Sequence, residues 1–127
     1  MSDKTLSFSA LVGFVLVSIR KEKLLEQGAI AQKMGITQAS YSRLENGKSA
    51  LSVDQLYAVS KVLGITIDDL FYAISKALNQ AQAQGINVIS PARGSTTKSD
   101  ENNPNTTATL LTGAAIGAAL MGFFNNK

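Results

Sequence analysis

The chain of 127 residues contains no cysteine and no histidine. Without thiols there are no disulfide staples, no thiolate zinc ligands and no cysteine nucleophile. Without imidazole the commonest metal ligand and general base are missing too. Most hydrolytic and redox mechanisms are thereby closed. No Gly-rich phosphate loop or paired-carboxylate motif is present, and Glu45, Asp54, Asp68 and Asp69 are each accounted for at caps and helix ends. The sequence therefore reads as a protein that is not an enzyme, with no cofactor and no metal site. Met1, Ser2 and Asp3 place no cluster of positive charge ahead of the apolar run from Phe8 to Ile19. That run reads as a buried first helix and not as a cleaved secretory signal.

What is present is modest in charge and helical in pattern. The 12 Lys and Arg against 9 Asp and Glu leave +3, which suits a polyanionic partner without specifying one. Single cores occupy roughly 100–150 residues, and the organisation below points to a smaller domain followed by a tail. Phe8, Leu11, Val12, Val15, Leu16 and Ile19 recur at steps of three and four between Leu6 and Leu24, placing them on one helical face. The following Arg20-Lys21-Glu22-Lys23 reads as a solvated helix end.

A short helix is predicted over Gln27 to Met34, closed by Gly35, the residue best suited to a left-handed C-terminus. Ile36 bridges to Thr37, which is placed to cap a third helix through Gln38-Ala39-Ser40-Tyr41-Ser42-Arg43-Leu44-Glu45-Asn46, closed by Gly47. A turn of about three residues between two short helices is the spacing of a helix-turn-helix, whose second helix protrudes. Ser52 with Gln55 is a capping-box pattern opening a fourth helix that ends at Gly64 and buries Leu56, Val59 and Leu63. Thr66 with Asp69 opens a fifth, carrying Leu70, Phe71, Ile74 and Leu78 and continuing through polar, helix-compatible residues to Gly85.

Residues 86–107 read as a flexible linker. From Ser90 to Thr107 there is almost nothing apolar to offset the entropy of ordering. Ala108 to Phe124 is then an uncharged run of 17 residues in which Gly113 and Gly117 are spaced for close helix packing. Two readings stand for this C-terminal apolar helix. One is a membrane anchor, at the short end of the roughly 20 residues a span needs. The other is a Gly/Ala-rich helix that self-associates or docks on the domain.

Within the first part, Gln27, the run Ala31-Gln32-Lys33-Met34-Gly35-Ile36-Thr37-Gln38, the run Ser42-Arg43-Leu44-Glu45-Asn46-Gly47-Lys48, and Leu63-Gly64-Ile65 fall at a family's spacing. On these residues the segment from about Leu16 to Phe71 resembles the Cro/CI (Xre) class of helix-turn-helix DNA-binding domains. It departs from the family pattern at Gly28 and Ala29, where a Glu-rich helix start is usual, and at Glu26, where a Ser or Thr cap is usual. The resemblance implies an all-α, five-helix, lambda-repressor-like domain over residues 1–85, to which composition adds the linker 86–107 and the apolar helix 108–127.

The implied function is that of a sequence-specific transcription regulator in the cytoplasm, taken as a repressor. It would be tethered to the inner membrane's cytoplasmic face if residues 108–124 insert. By the same analogy Gln38, Ala39 and Arg43 read base edges, residue types that suit adenine, a thymine methyl group and guanine in the major groove. Gln27, Ser40, Ser42, Asn46 and Lys48 meet phosphates, which sets register more than sequence preference. A homodimer on an inverted-repeat operator follows from the small reach of one helix. The helix from Asp68 to Gln84, through Leu78, is the first candidate for its dimer surface. Glu45, which DNA would repel, is expected to bond within the domain. The alternative is a helix-turn-helix protein-interaction module, such as an antitoxin-like or anti-regulator partner.

Overall fold

The computed structural model describes residues 4–90. Most of the expected linker and the whole apolar run 108–124 lie outside the described residues. Five helices follow in order: α1 (Phe8–Glu22), α2 (Gln27–Met34), α3 (Gln38–Glu45), α4 (Val53–Leu63) and α5 (Ile67–Ala83). Two short strands, β1 (Thr5–Ser7) and β2 (Asn87–Ile89), flank them.

Four of the five helices start where a side-chain cap satisfies orphan backbone donors. Thr37 Oγ1 accepts from the Ser40 amide at 3.0 Å, and Thr66 Oγ1 from the Asp69 amide at 2.9 Å. Ser52 and Gln55 form a reciprocal capping box, both bonds being 3.0 Å. Only α2 begins without a side-chain cap, Glu26 making no such bond. Gly35 ends α2 at φ +78°, a left-handed conformation that suits glycine and turns the chain towards α3.

The core gathers Leu11, Val12, Val15, Leu16 and Ile19 of α1 with Ile30, Tyr41, Leu44, Val59, Leu63, Leu70 and Ile74. The apolar periodicity of α1 is thus its buried face, except at Phe8, which is 40% exposed. Phe71 likewise turns out to solvent, while its neighbour Leu70 is buried.

Both ends differ from a purely helical expectation. Thr5, Leu6 and Ser7 pair in parallel with Asn87, Val88 and Ile89, and the Asn87 amide donates to the Lys4 carbonyl at 2.8 Å. Leu6 therefore belongs to a strand and not to the first helix, and Ser7 becomes the cap of α1, accepting from the Ala10 amide. Ile86, expected at the start of a linker, is buried at 5% exposure. Its apolar side chain, with Leu6, closes the core where the two ends of the described domain meet, so the packed domain runs past Gly85.

Candidate nucleic-acid interface

The third helix lies with one side sunk in the domain and the other in solvent. Tyr41, Leu44 and Glu45 are buried, whereas Gln38, Ala39, Arg43 and Asn46 are exposed and Ser42 is half-buried. At about 100° per residue these five outward positions share one face. Ser40 is exposed as well but sits round the helix from them, and its hydroxyl accepts from Thr37 Oγ1 within the cap. Asn46 Nδ2 donates to Ser42 Oγ at 3.5 Å.

Beneath this face α1 passes close to α3. A Cβ at Gly13 would overlap the Glu45 carbonyl oxygen, so the crossing needs glycine there for lack of space. A second close approach lies at Gly47 (φ +78°), where a Cβ would come within 2.6 Å of Ala10 Cα. Lys48 follows on the surface, its amide donating to the Arg43 carbonyl at 2.9 Å.

One buried carboxylate ties three elements together. Glu45 accepts from Arg20 Nε at 2.7 Å and Arg20 Nη2 at 3.1 Å, and from Gln27 Nε2 at 2.8 Å. Arg20 Nη1 also donates to the Leu25 carbonyl at 3.0 Å, fixing the α1–α2 loop. The carboxylate, first by its hydrogen bond and then by its charge, raises the Arg20 pKa, with burial opposing it. Removing one partner of such a pair leaves an uncompensated buried charge, at a cost of about 3–5 kcal/mol. Tyr41 packs beside the pair. Burial first, then the Glu45 charge, pushes its phenol well above the usual 10.0.

A helix-turn-helix family model matches residues 16–70. Control protein C.MunI of a Mycoplasma species is 40% identical over 65 residues, spanning 50% of this chain and 88% of that protein. The chain belongs to the Cro/CI-type helix-turn-helix family. This helix-turn-helix protein is accordingly a DNA-binding transcription regulator, which is not a class of enzyme. Its fold is similar to that of the clp gene regulator ClgR from Corynebacterium glutamicum. One ClgR crystal structure has a TM-score of 0.58 at 23% identity over 61% of this chain and 83% of that one. A second scores 0.53 at 22% identity over 56% and 92%.

The geometry sorts the regulator's sequence-predicted residues. Gln38, Ala39 and Arg43 come together on the outward face of α3, flanked by Ser42, Asn46 and Lys48. Gln27 is half-buried at the start of α2 with an amide hydrogen committed to Glu45. Gln38 reaches back over the same helix start: a Cβ at Gly28 would lie 3.6 Å from Gln38 Oε1. Glu45 bonds within the domain, its carboxylate held by Arg20 and Gln27. Arg20 is the residue that sequence reasoning missed. Its charge looks like part of a solvated cluster, yet its side chain is only 12% exposed. The one available signal was Glu45 itself, a carboxylate that needed a cation from elsewhere in the chain.

Proposed function

We propose that this regulator is a homodimeric repressor that binds an inverted-repeat operator, laying one α3 in the major groove of each half-site. The observation that carries the reading is the outward face of α3, with Gln38, Ala39 and Arg43 exposed above the buried Tyr41, Leu44 and Glu45. Arg43 donates a bidentate pair to guanine, Gln38 bonds adenine and Ala39 packs on a thymine methyl group. Ser40, Ser42, Asn46 and Lys48 hold phosphates. Gln27 does so with its second amide hydrogen, the first being given to Glu45. One helix reads too few base pairs to select a site alone. Two related by a two-fold, about 34–36 Å apart, meet successive turns of the duplex. Occupancy of the operator then blocks transcription.

The tail completes the proposal. The low-apolar stretch ending at Thr107 serves as a flexible link, and residues 108–124 tether the cytoplasmic head to the inner membrane. Support comes from the uncharged run of 17 residues and its Gly113–Gly117 spacing. No helix among the described residues is long and apolar enough to cross a membrane, so any span falls to that run.

The test is selection of duplexes from a random pool by the full chain, with Arg43→Ala in parallel. The expected result is an inverted repeat for the parent and one relaxed position per half-site for the variant, a loss of about 1–3 kcal/mol there. No enrichment at moderate salt, with the variant indistinguishable from the parent, would reject sequence-specific recognition.

A further inference from the structure

Resting on the base-reading role proposed for Gln38 above, we infer that Gln38 reads its base as a donor alone and so accepts either purine, because the bare Gly28 lets its carboxamide oxygen lie back on the start of α2. Gly28 is not in the left-handed region, and a Cβ there would meet no atom closer than 3.6 Å. The fold therefore does not require glycine at this position, as it does at Gly13 and Gly47, although glycine is among the poorest helix formers. What occupies the space is Gln38. A Cβ at Gly28 would lie 3.6 Å from Gln38 Oε1 and 4.0 Å from its Cδ, so the oxygen is the end turned towards α2.

The start of α2 decides which end of the carboxamide turns inward. Its first intrahelical bond runs from the Ile30 amide to the Glu26 carbonyl, so the amides of Gln27, Gly28 and Ala29 lie at the positive end of the helix, and Glu26 makes no side-chain cap there. A carboxamide oxygen is favoured against those amides, whereas an NH2 group would set donor against donor. The neighbouring Gln27 leaves the space open, its own amide being given to Glu45. Nε2 of Gln38 is therefore the end left for the groove. A donor finds the N7 acceptor on adenine and guanine alike, but the adenine 6-amino group needs an acceptor, which Gln38 has turned away. Cytosine presents its N4 donor at the same edge, and thymine sets its C5-methyl group beside its O4 acceptor.

The experiment uses the full chain. Duplexes are selected by the parent and by Gln38→Ala, and the position relaxed in the variant is the one that Gln38 reads. Adenine and guanine are both expected there in the parent's pool. Fluorescence anisotropy then compares the selected site carrying adenine, purine without the 6-amino group, or 7-deazaadenine at that position. Loss of the amino group is expected to change affinity by less than about twofold, and loss of N7 to weaken it about threefold to tenfold, the range of one neutral hydrogen bond. In Gln38→Ala the 7-deaza penalty is expected to vanish. Gly28→Met, uncharged and a better helix former, fills the space behind Gln38 and pushes the oxygen forward. It is expected to make the amino group count, with helical content by circular dichroism undiminished. The inference is overturned if the position selects a pyrimidine or adenine alone, or if Gln38→Ala relaxes no position. It is equally overturned if the parent loses as much affinity without the amino group as without N7, or if Gly28→Met keeps the parent's ratios among the three duplexes. A parent that enriches no sequence removes the regulatory reading and this inference together. An enriched inverted repeat with the wrong base response removes this inference alone.

Discussion

The Tyr41 hydroxyl is buried beside the Glu45 carboxylate, which acts on it through charge and weak hydrogen bonding, yet no hydrogen bond of full geometry satisfies it. Leaving a polar atom unsatisfied in the core costs about 1–3 kcal/mol, more than a typical hydrogen bond contributes. Tyr41→Phe keeps the ring and removes the orphan. It is expected to raise stability by about 1 kcal/mol in chemical denaturation at neutral pH. The same substitution has a pH signature. The folded state holds the phenol protonated above its ordinary 10.0, so this contribution is intact below that pH. It is lost as pH rises further, because only the unfolded chain then ionises. Tyr41→Phe is therefore expected to lose less stability than the parent between about pH 8 and about pH 11. An equal loss in both would mean that Tyr41 ionises alike in the folded and unfolded states. Leu24 shows the opposite economy: it is 89% exposed and held at φ 60°, a conformation that costs a β-carbon residue roughly 1 kcal/mol.

At the scale of elements, the strand pair β1–β2 is the feature that binds the two ends of the domain. An isolated two-stranded sheet is marginal in water, so its stability comes from the side chains it sends into the helical core. Leu6 of β1 and Ile86, the residue just ahead of β2, supply that anchorage, at 3% and 5% exposure. Ile86→Ala is accordingly expected to destabilise the protein by about 2–5 kcal/mol in thermal or chemical melts. A residue in a flexible linker would show no change. The recognition element is seated differently, by lack of space at Gly13 and by the Arg20–Glu45–Gln27 cluster, so its pose depends on α1 and α2 together. The four-residue cap at Thr37 starts the helix, but it does not aim it.

For the whole molecule, the question is which partner meets the outward face of α3. A duplex releases counterions when cationic side chains neutralise its phosphates, so affinity should fall steeply with salt, whereas an apolar protein interface is nearly indifferent. Lys48→Ala is expected to weaken binding uniformly across DNA sequences and to reduce the slope of log K against log salt by about 1 per subunit. Fluorescence anisotropy across a salt series measures both. A salt-independent partner, with Lys48→Ala silent, would point to a protein-interaction module instead.

Rules that act within four residues decided most of the helical layout, and they are readable from the chain alone. Thr37 with Ser40, Ser52 with Gln55 and Thr66 with Asp69 start helices, and Gly35 turns α2 towards α3, wherever the remainder packs. The outward face of α3 was legible for the same reason, since the 3.6-residue repeat separates Gln38, Ala39 and Arg43 from Tyr41 and Leu44. Tertiary structure decided what is far apart in sequence. Arg20 finds Glu45 across 25 residues, and Thr5 pairs with Asn87 after the chain has traversed all five helices. Neither partnership has a local pattern, because a parallel strand pair or a buried ion pair depends on where whole elements come to rest. Exposure of Phe71 and Tyr72 belongs to the same class: periodicity marks a residue as apolar, but only the packed helices determine which apolar residues remain uncovered.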